Sequence, residues 1–133
     1  MDKYNQAILE LLRQNARLSW SEIGKQVFLT GQAVGARVQH MQEQGIIQGY
    51  TLRENTDAQH LHFISVYMHS NDFAGFEQAI RQSPLVTAAY KISGEACYQI
   101  IAHCRSIQDL DQLTQIITPY ATYKIASTLN TIK

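Results

Sequence analysis

Leu29-Thr30-Gly31-Gln32-Ala33-Val34-Gly35-Ala36-Arg37-Val38-Gln39-His40-Met41-Gln42-Glu43-Gln44-Gly45 is the stretch on which the fold turns. Thr30 stands where a helix N-cap belongs, and Val34, Val38 and Met41 fall at i, i+4 and i+7, one buried stripe of a helix. Gly45 closes it as a residue free to take positive φ. Opposite the stripe lie Gly31, Gln32, Gly35, Ala36, Gln39 and His40. Just upstream, Ser19-Trp20-Ser21-Glu22 has the capping-box pattern, which predicts a second helix with Trp20, Ile23 and Val27 on its core side. Only Phe28-Leu29 separates the two. Further back, Tyr4, Ala7, Ile8, Leu11 and Leu12 make another helical stripe, with Asp2 as its cap and Asn15-Ala16-Arg17 as its break. Three helices, the last two joined by a very short turn, predict a helix-turn-helix.

Small residues let a helix enter the DNA major groove closely. Gln32 and Gln39 have the side chain that reads adenine in a bidentate way, and Arg37 can take guanine or phosphate or, adjoining Val38 of the core stripe, sit against a neighbouring acidic group. Ser19, Ser21 and Lys25 on the second helix are candidates for phosphate contacts. Any three-helix bundle shows such stripes, so periodicity alone leaves other roles for this half open.

Past residue 53 the pattern changes. Residues 62–69, His-Phe-Ile-Ser-Val-Tyr-Met-His, are rich in β-branched and aromatic side chains and predict a strand. A helix over 73–82 runs through Phe73, Phe76 and Ile80. Strands are expected over 85–92 and 97–104, around the turn Ser93-Gly94-Glu95-Ala96. A helix over 107–117 uses Ile107, Leu110, Leu113 and Ile117, Pro119 ends it, and residues 121–132 form a last strand. The order βαββαβ is the ferredoxin-like split unit. The fold class is therefore α+β, with a helical domain over 1–50, a linker over 51–61 and a ferredoxin-like domain over 62–133. In the first strand Ile64, Val66 and Met68 point one way, Phe63 and Tyr67 the other. Two helices cover one face of a small sheet, so a face bearing Phe63, Tyr67, Ile101 and Leu129 predicts homo-oligomerisation. The alternative is cover by the linker or the N-terminal helices.

Composition bounds the rest. The chain has 133 residues, 45% hydrophobic and 17% charged, as a folded protein does, and eleven Lys+Arg balance eleven Asp+Glu. A neutral chain does not coat nucleic acid or an anionic membrane by bulk charge. The balance hides a split. Residues 1–53 carry six basic groups against four acidic, and residues 54–133 carry five against seven. No apolar run approaches the roughly 20 residues of a membrane span, and the first residues lack a signal-peptide core, so the expected location is the cytoplasm.

Two cysteines are too few for a disulfide framework or a zinc cage. Cys97 and Cys104 are seven apart, so they face opposite sides of one strand, and a small buried hydrophobe is the default role. A redox sensor at Cys97 would need a basic neighbour, and Lys91 is the only cation near it in sequence. His60, His62, His69 and His103 lack carboxylate or thiol partners at ligand spacing, so no metal and no cofactor is expected. There is no phosphate-loop run and no nucleophile elbow, so no enzyme is expected. The alternatives are an amino-acid-binding ferredoxin-like module, or a small enzyme, without DNA binding.

The motifs narrow this further. Asn15-Ala16-Arg17-x-Ser19 resembles the D-A-R-x-S that follows the first helix of Lrp/AsnC transcriptional regulators. Ser21-Glu22-Ile23-Gly24 resembles their second helix. Leu29-Thr30-x-x-x-Val34-x-x-Arg37-Val38-x-x-Met41-x-x-x-Gly45-Ile46-Ile47-x-Gly49-Tyr50 is similar to the long run that follows. Pro84-x-Val86, Ile92-Ser93-Gly94 and Thr128-x-x-x-x-Lys133 match in the second half, so the resemblance covers almost the whole chain. It implies a sequence-specific DNA-binding regulator. The recognition helix would span 30–44, and the double-stranded DNA contacts would be drawn from Ser19, Ser21, Lys25, Thr30, Gly31, Gln32, Gly35, Ala36, Arg37, Gln39 and His40.

The resemblance also implies nucleoid association, a homodimer that assembles to an octamer or similar, and an amino-acid effector. The effector would sit near Ser93, Gly94, Glu95, Ala96, Cys97 and Tyr98. The sequence departs from the family pattern there, with Cys97 where an Asp is usual. An Asp can pair with an amino acid's ammonium group, and a neutral Cys cannot supply that charge.

Overall fold

The computed structural model describes residues 1–54 and 60–133. The chain forms two compact units, Met1–Glu54 and Asn55–Lys133. Residues 55–59 of the expected linker over 51–61 lie outside the described residues, and Leu61 already belongs to the first strand of the second unit.

The first unit is three helices, α1 (Lys3–Gln14), α2 (Trp20–Val27) and α3 (Gly31–Glu43). Each starts on a side-chain cap. The Asp2 carboxylate accepts from the Asn5 N–H, Thr30 Oγ1 accepts from the Ala33 N–H, and Ser19 and Glu22 close a full capping box. Such caps satisfy backbone donors that the helix cannot, each worth about 1 kcal/mol. The core is Ile8, Leu12, Ile23, Val27, Val34, Val38 and Met41. Full burial stabilises side chains of this size by about 1.5–3 kcal/mol each.

Trp20, expected on the core side, is 41% exposed. As the first residue of α2 it lies at the edge of the bundle, against α3. The turn between α2 and α3 is tight. Phe28 caps α2 in the left-handed region at φ 63°, and the Leu29 N–H returns to the Gly24 carbonyl. A Cβ on Gly24 would overlap the Leu29 carbonyl oxygen, so only glycine fits there. Gly45 has φ 74° beyond α3, as a helix-ending glycine should.

The second unit runs β1 (Leu61–Met68), α4 (Phe73–Gln82), β2 (Val86–Lys91), β3 (Tyr98–His103), α5 (Ile107–Ile117), β4 (Ala121–Ser127). All pairings are antiparallel in the order β2-β3-β1-β4, the ferredoxin-like arrangement. Ile64, Val66, Tyr98, Ile100, Ala102 and Ala121 meet Phe76 and Ile80 of α4 and Leu113 and Ile117 of α5.

Two expectations fail here. Ile107 is 80% exposed, because it opens α5 directly after the Ser106 cap, before the helix has turned onto the sheet. The last strand ends at Ser127, five residues early, where its partner β1 begins at Leu61–His62. Without a pairing strand Leu129 is 95% exposed and lies off the sheet face.

Candidate nucleic-acid interface

The caps at Ser19 and Thr30 and the turn at Gly24 set α2 against α3. Burial of Val34, Val38 and Met41 then presents the opposite side of α3. Gln32, Ala36, Gln39 and His40 are exposed there in one ridge, at the spacing of a helix face. Glu43 continues it, and Gln39 Nε2 donates to Glu43 Oε1 at 3.2 Å. On α2, Ser21 and Lys25 are exposed beside the ridge. The four ridge side chains offer amide, methyl and imidazole, Glu43 adds a carboxylate at one end, and Lys25 is an exposed cation of α2. Such a surface offers hydrogen-bond donors and acceptors to base edges and a cation to a phosphate.

Five expected site residues serve other ends. Gly31 and Gly35 do not face outward. A Cβ on Gly31 would lie 3.2 Å from the Ser21 backbone nitrogen, and one on Gly35 would lie 3.0 Å from Trp20 Cδ1. Their small size lets α2 approach α3. Ser19 and Thr30 use their hydroxyl oxygens as caps. Arg37 turns toward α1. Its Nη1 donates to Asp2 Oδ2 at 2.7 Å and to Asn5 Oδ1 at 3.1 Å, and its guanidinium lies 5.1 Å from the Tyr4 ring centroid. The Asp2 carboxyl is held below its usual range, first by the Asn5 N–H and then by Arg37. No linear spacing announces this cluster, since its partners are over 30 residues apart.

In the second unit the Ile92 N–H donates to the Cys97 carbonyl at 3.1 Å and closes the turn. Ser93, Gly94 and Glu95 are exposed on it, and Ala96 and Cys97 are half-buried. Tyr98 does not join them. Alternation along β3 points it into the core, 4.9 Å from Phe76 between ring centroids, and its hydroxyl donates to Glu77 Oε2 at 2.6 Å. Burial, then the Glu77 carboxylate, pushes its phenol up to about 12. Glu77 also pairs with Arg81 at 3.5 Å and Lys91 at 3.8 Å. These groups border a cavity of about 130 Å³ between α4 and the sheet edge. Lys91, the one cation near Cys97 in sequence, is thus committed to Glu77. Cys104 is buried, and burial pushes its thiol up, away from reactive character.

His62 is buried on the core side of β1. Its Nδ1 is 2.9 Å from Ser127 Oγ and its Nε2 is 3.3 Å from the Cys104 carbonyl. The His60 ring instead meets that of His103 at 5.7 Å. Among the described residues no three His, Cys, Asp or Glu side chains come together as metal ligands. None of the described helices is long and apolar enough to cross a membrane.

The outer face of the sheet carries Phe63, paired with Ile101 on β3, and Tyr67 four residues on. Phe63 is 39% exposed. Tyr90 on β2, paired with Gln99, belongs to the same face and is 56% exposed. Sequence reading did not assign Tyr90, although its alternation with Ala89 and Lys91 carries the signal.

Comparison with known proteins agrees with both units. Residues 1–42 match the AsnC-type helix-turn-helix domain, and residues 61–133 match the Lrp/AsnC ligand binding domain. HTH-type transcriptional regulator LrpB of Bacillus subtilis is 31% identical over all of this chain and 91% of its own length. The structure of LrpC from the same species superposes with a TM-score of 0.86 at 25% identity, covering 100% of this chain and 97% of that one. A transcriptional regulator from Neisseria meningitidis, crystallised as an L-Met complex, shares the fold at a TM-score of 0.86 and 22% identity, over 100% of this chain and 92% of its own.

Proposed function

This chain belongs to the Lrp/AsnC family of helix-turn-helix transcriptional regulators, and we propose that it reads DNA through Gln32, Ala36, Gln39 and His40 of α3. The observation that carries this is the single exposed ridge they form, opposite a fully buried stripe on a capped helix. Gln32 and Gln39 hydrogen-bond base edges, Ala36 leaves room for a thymine methyl, and Ser21 and Lys25 hold phosphates. A site-selection experiment on random duplexes yields the preferred sequence. Replacing Gln32 and Gln39 together by Ala should then weaken binding to that sequence at least about tenfold, one good base contact being worth about 1–3 kcal/mol. Binding to random duplex should change little. Equal loss on both would refute base reading by these side chains.

We read the second unit as the oligomerisation and effector half. Its outer face, with Phe63, Tyr67 and Ile101, pairs two copies, and dimers build to an octamer or a similar closed assembly. Two copies place two α3 helices on one palindromic site, so each monomer's few contacts are summed by avidity. The effector is amino-acid-sized and sits at the turn Ser93–Cys97, with Tyr98 supporting the turn from the core. L-Met bound to the Neisseria relative supports the ligand class. With Cys97 at the usual Asp position, the ammonium group finds no carboxylate there, and Glu95 is the exposed carboxylate nearest in sequence. The chain acts at the nucleoid, in the cytoplasm, and is not an enzyme. Its family of DNA-binding transcriptional regulators supports this reading.

A further inference from the structure

Arg37 is the only arginine or lysine of α3, and it lies one position from the outward ridge, between Ala36 and His40. An arginine on a helix that enters the major groove ordinarily meets a phosphate or a guanine. Here three groups of α1 take the guanidinium first. The Asp2 carboxylate receives a charge-assisted bond of 2.7 Å, the Asn5 side-chain oxygen one of 3.1 Å, and the Tyr4 ring lies under the cation at 5.1 Å. Asp2 is also the N-cap of α1, so a single carboxylate ends one helix and holds the cation of another. The pair is half exposed, with the arginine and aspartate side chains 32% and 50% accessible. An attraction at that exposure is modest, so removing one of its two charges is enough to release the guanidinium to a phosphate.

We propose that Asp2 sets the affinity and salt dependence of DNA binding: by holding Arg37 against α1 it keeps a sequence-blind cation off the DNA backbone and leaves base reading to the exposed ridge of α3. The inference rests on the DNA-reading role of α3 proposed above. Affinity from arginine–phosphate contact is indifferent to sequence and falls with salt through counterion release. A regulator that withholds such a cation binds every duplex, random or its own, more weakly by about the same factor and with a shallower salt dependence.

Asp2→Asn tests this cleanly, because asparagine caps a helix as well as aspartate does but carries no charge. Its melting temperature should stay within about 3 °C of wild type, as for a surface change. On random duplex the variant should bind about three- to fivefold tighter at low salt, the span set by a half-exposed ion pair. The slope of log affinity against log salt should steepen by about 0.9, one more phosphate neutralised. Asp2→Asn combined with Arg37→Ala should return the slope to the wild-type value. The Arg37 side-chain N–H signals in NMR, read without DNA, should lose protection from exchange in Asp2→Asn.

An unchanged slope and unchanged affinity for random duplex in Asp2→Asn would overturn the proposal. So would a shallower slope in Arg37→Ala alone, which would mean that Arg37 already contacts phosphate in the wild type. A wild-type protein that binds no duplex at any salt would instead refute the DNA-reading role itself. The protected N–H signals would then mark a purely structural clamp.

Discussion

Gly24 shows how much one atom can decide. The turn between α2 and α3 brings the Leu29 carbonyl so close that a methyl group has no space, and the obstacle is backbone, which cannot swing aside. Gly24→Ala should destabilise the helical unit by about 2 kcal/mol, in the range of overpacking a closed site. Urea unfolding followed by Trp20 fluorescence, from the chain's single tryptophan, would check it, and an unchanged midpoint would contradict the turn geometry. Tyr98 makes a second residue-scale case. Its phenol stands near 12 in the folded chain against an ordinary value near 10, from burial and from Glu77. A raised pKa contributes stability that is whole below about pH 10 and is lost as pH rises toward about 12. Tyrosinate absorbance during alkaline titration should show one of the seven tyrosines ionising late. Glu77→Gln should bring that tyrosine forward, and no change would mean that the 2.6 Å bond is not made.

At the scale of elements, the helices and strands were legible because their signals are local. Asp2, Ser19 and Thr30 act as caps on residues two to three positions away, and the stripes of α1 and α3 are buried as their spacing implies. The alternation of Phe63, Ile64, Val66 and Tyr67 likewise predicts which face of β1 is covered. Reading failed where an element's end depends on a distant partner. Leu129 continues the apolar alternation of β4, but β1 has no residue left to pair with it. The same limit applied to the site. The ridge Gln32, Ala36, Gln39, His40 is a property of one helix and could be read from α3 alone. The true surroundings of Gly31, Gly35 and Arg37 are made by α2 and α1 and have no linear signature. Tyr98 was misplaced for a related reason: the turn motif ends on a residue whose direction is set by strand parity, not by the turn.

Across the whole molecule, the division of labour between the units explains how a chain with zero net charge can work on DNA. In the function we propose, the helical unit carries the small cationic surplus and the reading ridge, and the sheet unit supplies the surface through which copies associate. If the outer sheet face pairs two copies, Phe63→Glu should place a charge in an apolar contact and lower the mass in solution toward that of the monomer, while the melting of the monomer core changes little. An unchanged mass would move the interface elsewhere on the unit. A monomeric variant should also lose most of its affinity for a two-half-site duplex while keeping its affinity for a single half-site.

The account stands or falls on association with DNA by an oligomer. Gel filtration with light scattering, run on the protein mixed with random-sequence duplex at low and then high salt, measures both at once. The account predicts an assembly with an even number of chains that travels with the duplex at low salt and separates from it at high salt. A monomer that runs apart from the duplex at low salt would contradict it.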